Sequence, residues 1–194
     1  PFELKINEFT VNERSTVFIK GSSGCGKTTF LNLLTGLIQP IDGEINILNR
    51  NLSELTQVNC DRFRADHFGI IFQMFNLIPY LSVIENILLP CKFSKIKQKK
   101  VLNKSKSLAF EAERLCKELN IEQFLVQKPV NELSIGEQQR VAIARALIGQ
   151  PEIIIADEPS SALDQDNRSQ FVNLLLNECE KYNITLLFVS HDVN

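Results

Sequence analysis

The sequence predicts an α/β fold: a mostly parallel sheet, an N-terminal antiparallel β part and an inserted α-helical lobe. Three observations carry this. Residues 153–156 are a continuous apolar run, Ile-Ile-Ile-Ala, and such runs mark strands buried on both faces, as in parallel sheets. Stretches of strand composition alternate with stretches of helical periodicity, which is the pattern of β-α units. The middle, 74–131, is helical in pattern without a strand. It reads as a lobe set between core segments 1–73 and 132–194 of one domain.

Taken in order, Leu4, Ile6, Phe9 and Val11 suggest strand pairing with one slip of register. Asn12 to Ser15 reads as a turn, and 16–20 (TVFIK) as a short β-branched and aromatic strand. A glycine-rich stretch leads into a helix over 27–37, broken by Pro40, Asp42 and Gly43. Strands are expected over 44–48 and 68–72, and a short helix over 82–89 stopped at Pro90. Residues 101–119 predict one long helix with Leu108, Ala112, Leu115 and Leu119 on a stripe. A helix over 137–148 places Val141, Ala144, Leu147 and Ile148 on one side. A helix near 166–182 and a strand over 185–189 complete the pattern.

At 194 residues the chain has ample length for a buried core. With 21 basic and 23 acidic residues its net charge is −2, so a strongly cationic nucleic-acid binder is not the first reading and no nucleic-acid partner is expected. The balance is uneven. Positions 92 to 106 hold seven lysines and no acid, leaving 14 basic against 23 acidic elsewhere. The stretch reads first as a solvated face of the lobe, with contact to anionic lipid as the alternative. The five cysteines (Cys25, Cys60, Cys91, Cys116, Cys179) are widely spaced with no C-x-x-C pair. That argues against a disulfide framework or zinc site and for a reducing compartment. No apolar run approaches the roughly 18–20 residues of a membrane span. His67 matches no motif and reads as an ordinary surface or core histidine.

Gly21-Ser22-Ser23-Gly24-Cys25-Gly26-Lys27-Thr28, followed by Thr29, fits G-x-x-x-x-G-K-[ST] at every fixed position. It lies after a predicted strand and before a predicted helix, the context the motif requires. Its glycines let successive backbone N–H groups turn toward phosphate oxygens, and the helix start adds a positive dipole end. Lys27 suits the β- and γ-phosphates of a nucleoside triphosphate, and the Thr28 hydroxyl suits Mg²⁺. The run 153–156 delivers Asp157 and Glu158 to the strand end where ligands sit in open α/β sheets. Asp157 suits a hold on Mg²⁺, and Glu158 suits polarisation of an attacking water.

Leu133-Ser134-Ile135-Gly136-Glu137-Gln138-Gln139-Arg140 precedes an alanine-rich helix. With it the chain resembles the ATP-binding-cassette (ABC) ATPases, which carry a P-loop NTPase core of the RecA-like kind. The segment resembles their signature; Gln73 resembles the Q-loop glutamine, Ser161 to Asp164 the D-loop, and His191 the switch histidine. The motifs stand in family order and cover essentially the whole chain. The resemblance implies an ATPase using ATP and Mg²⁺, with Glu158, His191 and Gln73 catalytic and Thr28, Gln73 and Asp157 around the metal. It implies a head-to-tail homodimer around two ATP. Ser134, Gly136 and Glu137 would then serve the nucleotide held by the other subunit, with Ser161 and Asp164 beside it. A transmembrane permease contacted through the Q-loop and helical lobe, and a place on the cytoplasmic face of the inner membrane, follow likewise.

Residues 68–90 resemble those of the lipoprotein-release and macrolide- or peptide-export group. Gln73 and Ser134 stand too close in sequence for the long coiled coil of the DNA-repair ABC proteins. A cytosolic translation factor or regulator is the alternative function. The resemblance also implies a chain shorter at both ends than a whole cassette, without a clear adenine-stacking aromatic. Two departures stand out. Ile135 replaces a signature glycine and would be strained if its φ were positive. Cys25 replaces a frequent serine; it reads equally as a reactive thiol at a helix start and as a small residue that fits.

Overall fold

The computed structural model describes residues 3–22, 24–159 and 165–190. The elements, in chain order, are β1 (Thr16–Lys20), α1 (Lys27–Leu34), β2 (Asn46–Ile47), β3 (Arg50–Asn51), α2 (Gln57–His67), β4 (Phe68–Ile71), α3 (Val83–Phe93), α4 (Lys95–Lys104), α5 (Leu108–Glu118), α6 (Ile135–Leu147), β5 (Ile153–Asp157), α7 (Gln165–Lys181) and β6 (Thr185–Ser190). Four strands form one parallel sheet in the order β1-β6-β5-β4. β2 and β3 form a separate antiparallel pair.

Strands β4, β5 and β6 are covered on both faces, whereas edge strand β1 exposes Thr16, Phe18 and Lys20, and alternate side chains decide which core each residue joins. Ile154 and Ala156 of β5, with Leu186 and Phe188 of β6, face a core that continues through α6 into α3 and α5. Ile155, Leu187 and Val189 face a second core with Leu31, Leu52, Phe63 and Phe68. In α6, Val141, Ala142, Ile143 and Ala144 are all fully buried, so the helix is wedged between the sheet and helices α3 and α5. Its alanines permit close approach. A Cβ on Gly69 of β4 would collide with the Ala146 carbonyl, so this contact requires glycine.

Several local expectations change. No ladder forms over 4–11; Phe9 instead packs edge-on against Phe30 of α1 at 5.0 Å, and Val11 joins the second core. The strand expected over 44–48 shortens to a tight pair, because Leu48 and Asn49 take φ of 50° and 60° and reverse the chain. Helix α2 had no sequence signal, since within it Cys60 and Phe63 alone are buried and the periodicity is correspondingly weak. α3 runs through Pro90 to Phe93: burial of Val83, Ile84, Ile87 and Cys91 outweighs one missing backbone bond. The long helix over 101–119 is two helices. Ser105 is extended, and Ser107 caps α5 by accepting from the Phe110 N–H at 3.1 Å.

The lysine stretch is not one solvated face. Lys97 is 2% exposed and donates to the Phe68 carbonyl at 2.6 Å. Lys100 donates to Glu152 Oε1 at 2.6 Å and to the Gln150 carbonyl at 3.1 Å, and Lys104 to Gln150 Oε1 at 2.5 Å. These three tie α4 to the strand starts. Burial pushes the Lys97 amine down to about 8. Among the described residues, no helix is long and apolar enough to cross a membrane.

Candidate active site

The C-terminal strand ends converge. β1 ends at Lys20, one residue before Gly21; β5 ends at Asp157; β4 ends at Ile71, two residues before Gln73. Between them lies a cavity of about 360 Å³ lined by Gly24, Gly26, Lys27, Thr28, Thr29, Gln73, Asp157 and Glu158. These residues, 134 positions apart in sequence at the extremes, meet because parallel strands put all their C-terminal ends on one edge.

Gly24 and Gly26 have φ of 76° and 102°, which L side chains rarely adopt. Gly26 stands just before α1 and carries no side-chain cap, so the first N–H groups of α1 open toward the cavity. Lys27 donates to the Gly21 and Ser22 carbonyls at 2.7 and 3.0 Å and lies 3.4 Å from Glu158 Oε1. Its amine is thus poised at the cavity wall, and phosphate oxygens can replace the carbonyls as acceptors. Glu158 has φ of 47° while its N–H donates to the Val189 carbonyl at 3.0 Å. A non-glycine residue in that region is held there by its surroundings, a feature that clusters at functional sites. Burial, and then the charge of Glu158, push the Asp157 carboxyl above its ordinary value, while Lys27 opposes this. A cation among these oxygens would remove that penalty. Thr28, Gln73 and Asp157 offer the hydroxyl, amide and carboxylate oxygens that suit a hard divalent ion.

Cys25 is exposed, and its sulfur occupies the space a Cβ on Gly21 would need, 2.5 Å away. Ser134, Gly136 and Glu137 do not line the cavity. They begin α6, where Ser134 accepts from the Glu137 N–H at 3.3 Å and the Glu137 carboxylate accepts from the Ser134 N–H and hydroxyl at 2.7 Å. Those bonds to Ser134, side chain first, hold the Glu137 carboxyl below its ordinary value. Ile135 lies outside the left-handed region and is 57% exposed, so it carries no backbone strain. Ser23, Ser161, Asp164 and His191 lie outside the described residues. His67, apart from the cavity, bonds Glu152 Oε2 at 3.0 Å.

Two residues that the motifs left out shape the segment after Gln73. Arg145 of α6 donates to the Phe75 carbonyl and, at 2.7 Å, to the Asn76 carbonyl. Phe75 and Asn76 have φ of 57° and 45°. Burial pushes the Arg145 guanidinium down to about 10. Asn86 is fully buried, accepts from the Ile78 N–H at 2.8 Å and donates to the Ile78, Leu81 and Ser82 carbonyls. A lone arginine between alanines in a buried helix, and an asparagine inside an apolar one, were the available signals.

The family model described as ABC transporter matches residues 4–161. The lipoprotein-releasing system ATP-binding protein LolD of Cytophaga hutchinsonii is 38% identical over 97% of this chain and 83% of its own length. The uncharacterized ABC transporter ATP-binding protein MJ0796 of Methanocaldococcus jannaschii is 40% identical over 100% of this chain and 80% of its own. A dimeric post-hydrolysis structure of the MJ0796 cassette, bound to ADP and Pi, superposes with a TM-score of 0.78 at 36% identity, covering 96% of this chain and 78% of that one. A glycine-rich loop and an acidic strand end meeting in one cavity, a family model over residues 4–161, and likeness over nearly the whole chain lead to one conclusion: the chain belongs to the ABC transporter family and is an ATP-binding, ATP-hydrolysing cassette.

Proposed function

We propose that this chain is the motor subunit of a membrane transporter in the lipoprotein-release and macrolide- or peptide-export group. In this reading Gly21 to Thr29 hold the phosphates, with Lys27 on the β- and γ-oxygens. Glu158 accepts the proton of the attacking water, Gln73 and His191 orient it, and Thr28, Gln73 and Asp157 hold Mg²⁺. When bound, the ion neutralises developing phosphate charge. Two chains pair head to tail, so that Ser134, Gly136 and Glu137 of one complete the site of the other beside Ser161 and Asp164. Residues 74–131 act as the lobe that moves with nucleotide.

The observation that carries the reading is the separation of the two half-sites. The cradle, Gln73 and the acidic pair line one cavity, whereas the signature heads α6 outside it. A single chain therefore supplies two unlike halves, and a head-to-tail pair joins them. A second groove, of about 530 Å³, lies between core and lobe, lined in part by Val58, Arg62, Phe72, Pro90, Phe93 and Arg145. Val58 and Phe93 are 61% and 76% exposed there. An apolar groove beside the segment following Gln73 suits a short helix from a permease, which would place the chain on the cytoplasmic face of the inner membrane.

The test is Glu158→Gln in the full chain. Turnover should fall about 10²–10⁴-fold, the usual worth of a general base, while ATP binding persists and ATP-dependent dimers accumulate on size exclusion. Turnover at the wild-type rate would assign the base elsewhere.

A further inference from the structure

The seven lysines between positions 92 and 106 divide into two sets that the fold treats differently. Lys97, Lys100 and Lys104 recur at i, i+3 and i+7 along α4 and bond to the core. Lys95 and Lys99, at i and i+4, lie on the opposite side of the same helix and are exposed. Leu102, 50% exposed, continues that side, and Ile96, 40% exposed, borders it. At the end of α3, Lys92 and Phe93 are exposed as well, and beyond α4 Lys106 lies 5.8 Å over the exposed Phe110 ring. The outcome is a helix held to the core through one row of lysines while presenting a second row, interleaved with large apolar side chains, to solvent.

We propose that this outer face of α4 with the end of α3 docks on an anionic lipid surface. Three observations favour lipid over an acidic protein. Lysines interleaved with exposed Phe, Ile and Leu are the composition of interfacial helices, in which ammonium groups meet lipid phosphates and apolar tips enter the headgroup boundary. The charge is local. No acid occurs between 92 and 106, whereas the rest of the chain carries 14 basic against 23 acidic residues, so an anionic surface attracts this face and repels the remainder. The face also adjoins the groove through Phe93, which belongs to both. A permease helix seated in that groove brings the bilayer to the same side; this last argument rests on the transporter reading, the first two do not.

The experiment is co-sedimentation of the full chain, without ATP and at low ionic strength. Vesicles of phosphatidylcholine alone are compared with vesicles containing roughly one-third phosphatidylglycerol. Binding to the anionic vesicles alone is expected, weakening as salt approaches about 0.1 M and the screening length shrinks to about 10 Å. Lys95→Ser with Lys99→Ser should lower the partition coefficient about 30-fold, from roughly fivefold per lysine. Lys5→Ser with Lys117→Ser, which removes the same charge from exposed positions elsewhere, should leave it within about twofold. No binding, equal binding to both vesicles, or equal loss in the two double variants would overturn the proposal. Co-purification of the full chain with a membrane permease, scored separately, tests the transporter reading; its failure with lipid binding intact would remove the third argument and leave the first two standing.

Discussion

Replacing Arg145 with methionine separates folding from turnover. The guanidinium makes two charge-assisted bonds, to the Phe75 and Asn76 carbonyls, each worth about 1.5–3 kcal/mol. Their loss costs roughly 3–6 kcal/mol. Against this, burial has pushed the group from 12.5 to about 10. That difference corresponds to about 3 kcal/mol of desolvation, which methionine does not incur. The net loss of stability is therefore about 0–3 kcal/mol, a fall in Tm of no more than about 12 °C for a chain of this size.

Turnover responds more strongly. Phe75 and Asn76, both left-handed, are held by these bonds, and they directly follow the segment carrying Gln73. A displacement of about 1 Å in an orienting group can cost 10²-fold, so kcat should fall about 10- to 100-fold with KM for ATP little changed. Urea unfolding and steady-state ATP hydrolysis give the two readings. Turnover within about twofold of wild type would refute the link from Arg145 to Gln73. A stability loss above about 5 kcal/mol would show that the offset from burial had been misjudged.

Ser134→Ala should cost about 1 kcal/mol through loss of the α6 cap, readable by thermal melting. It should spare ATP binding by the monomer and weaken ATP-dependent dimerisation on size exclusion. At Glu152, burial raises the carboxyl, but the bonds from His67 and Lys100 more than offset it and bring the group to about 2. A lowered folded value adds stability above the unfolded value near 4.5 and loses it as pH falls toward 2. Because the side chain is 36% exposed, the contribution is screened to about 1 kcal/mol. Chemical denaturation should therefore find Glu152→Gln less stable than wild type above about pH 5, with the gap closing in acid. A maleimide reagent should inhibit turnover by modifying exposed Cys25, with protection by ATP; mass spectrometry finding Cys25 unmodified would leave it a residue that merely fits the loop.

The strand, glycine-rich loop and helix start were legible because they are contiguous. A β-branched strand, a loop whose glycines permit positive φ at Gly24 and Gly26, and a helix start follow one another within 19 residues, Thr16–Leu34. The apolar run before Asp157 was legible because a strand buried on both faces needs no alternation. Ile135 was a residue whose φ no motif predicts; as the first residue of α6 it keeps ordinary helical backbone. The long helix over 101–119 misread because Ser105 to Ser107 interrupt a stripe that α5 resumes. Periodicity reports which side is buried, whereas capping decides where a helix stops.

Sequence by itself determined the glycine-rich loop before α1, the acidic strand end, the helix headed by Ser134 and the alternation that makes a parallel sheet, since each depends on neighbours within a turn or a strand. Tertiary structure alone decided three things. It placed Arg145 on carbonyls 69 and 70 residues away. It bent Phe75 and Asn76 into the left-handed region. And it divided a run of like-charged lysines into a buried set bonded to Phe68, Gln150 and Glu152 and an exposed set facing outward. The physical reason is the same in each case. A charged side chain buried away from water needs a partner, and identity and spacing in the chain record the need without recording which distant backbone will meet it.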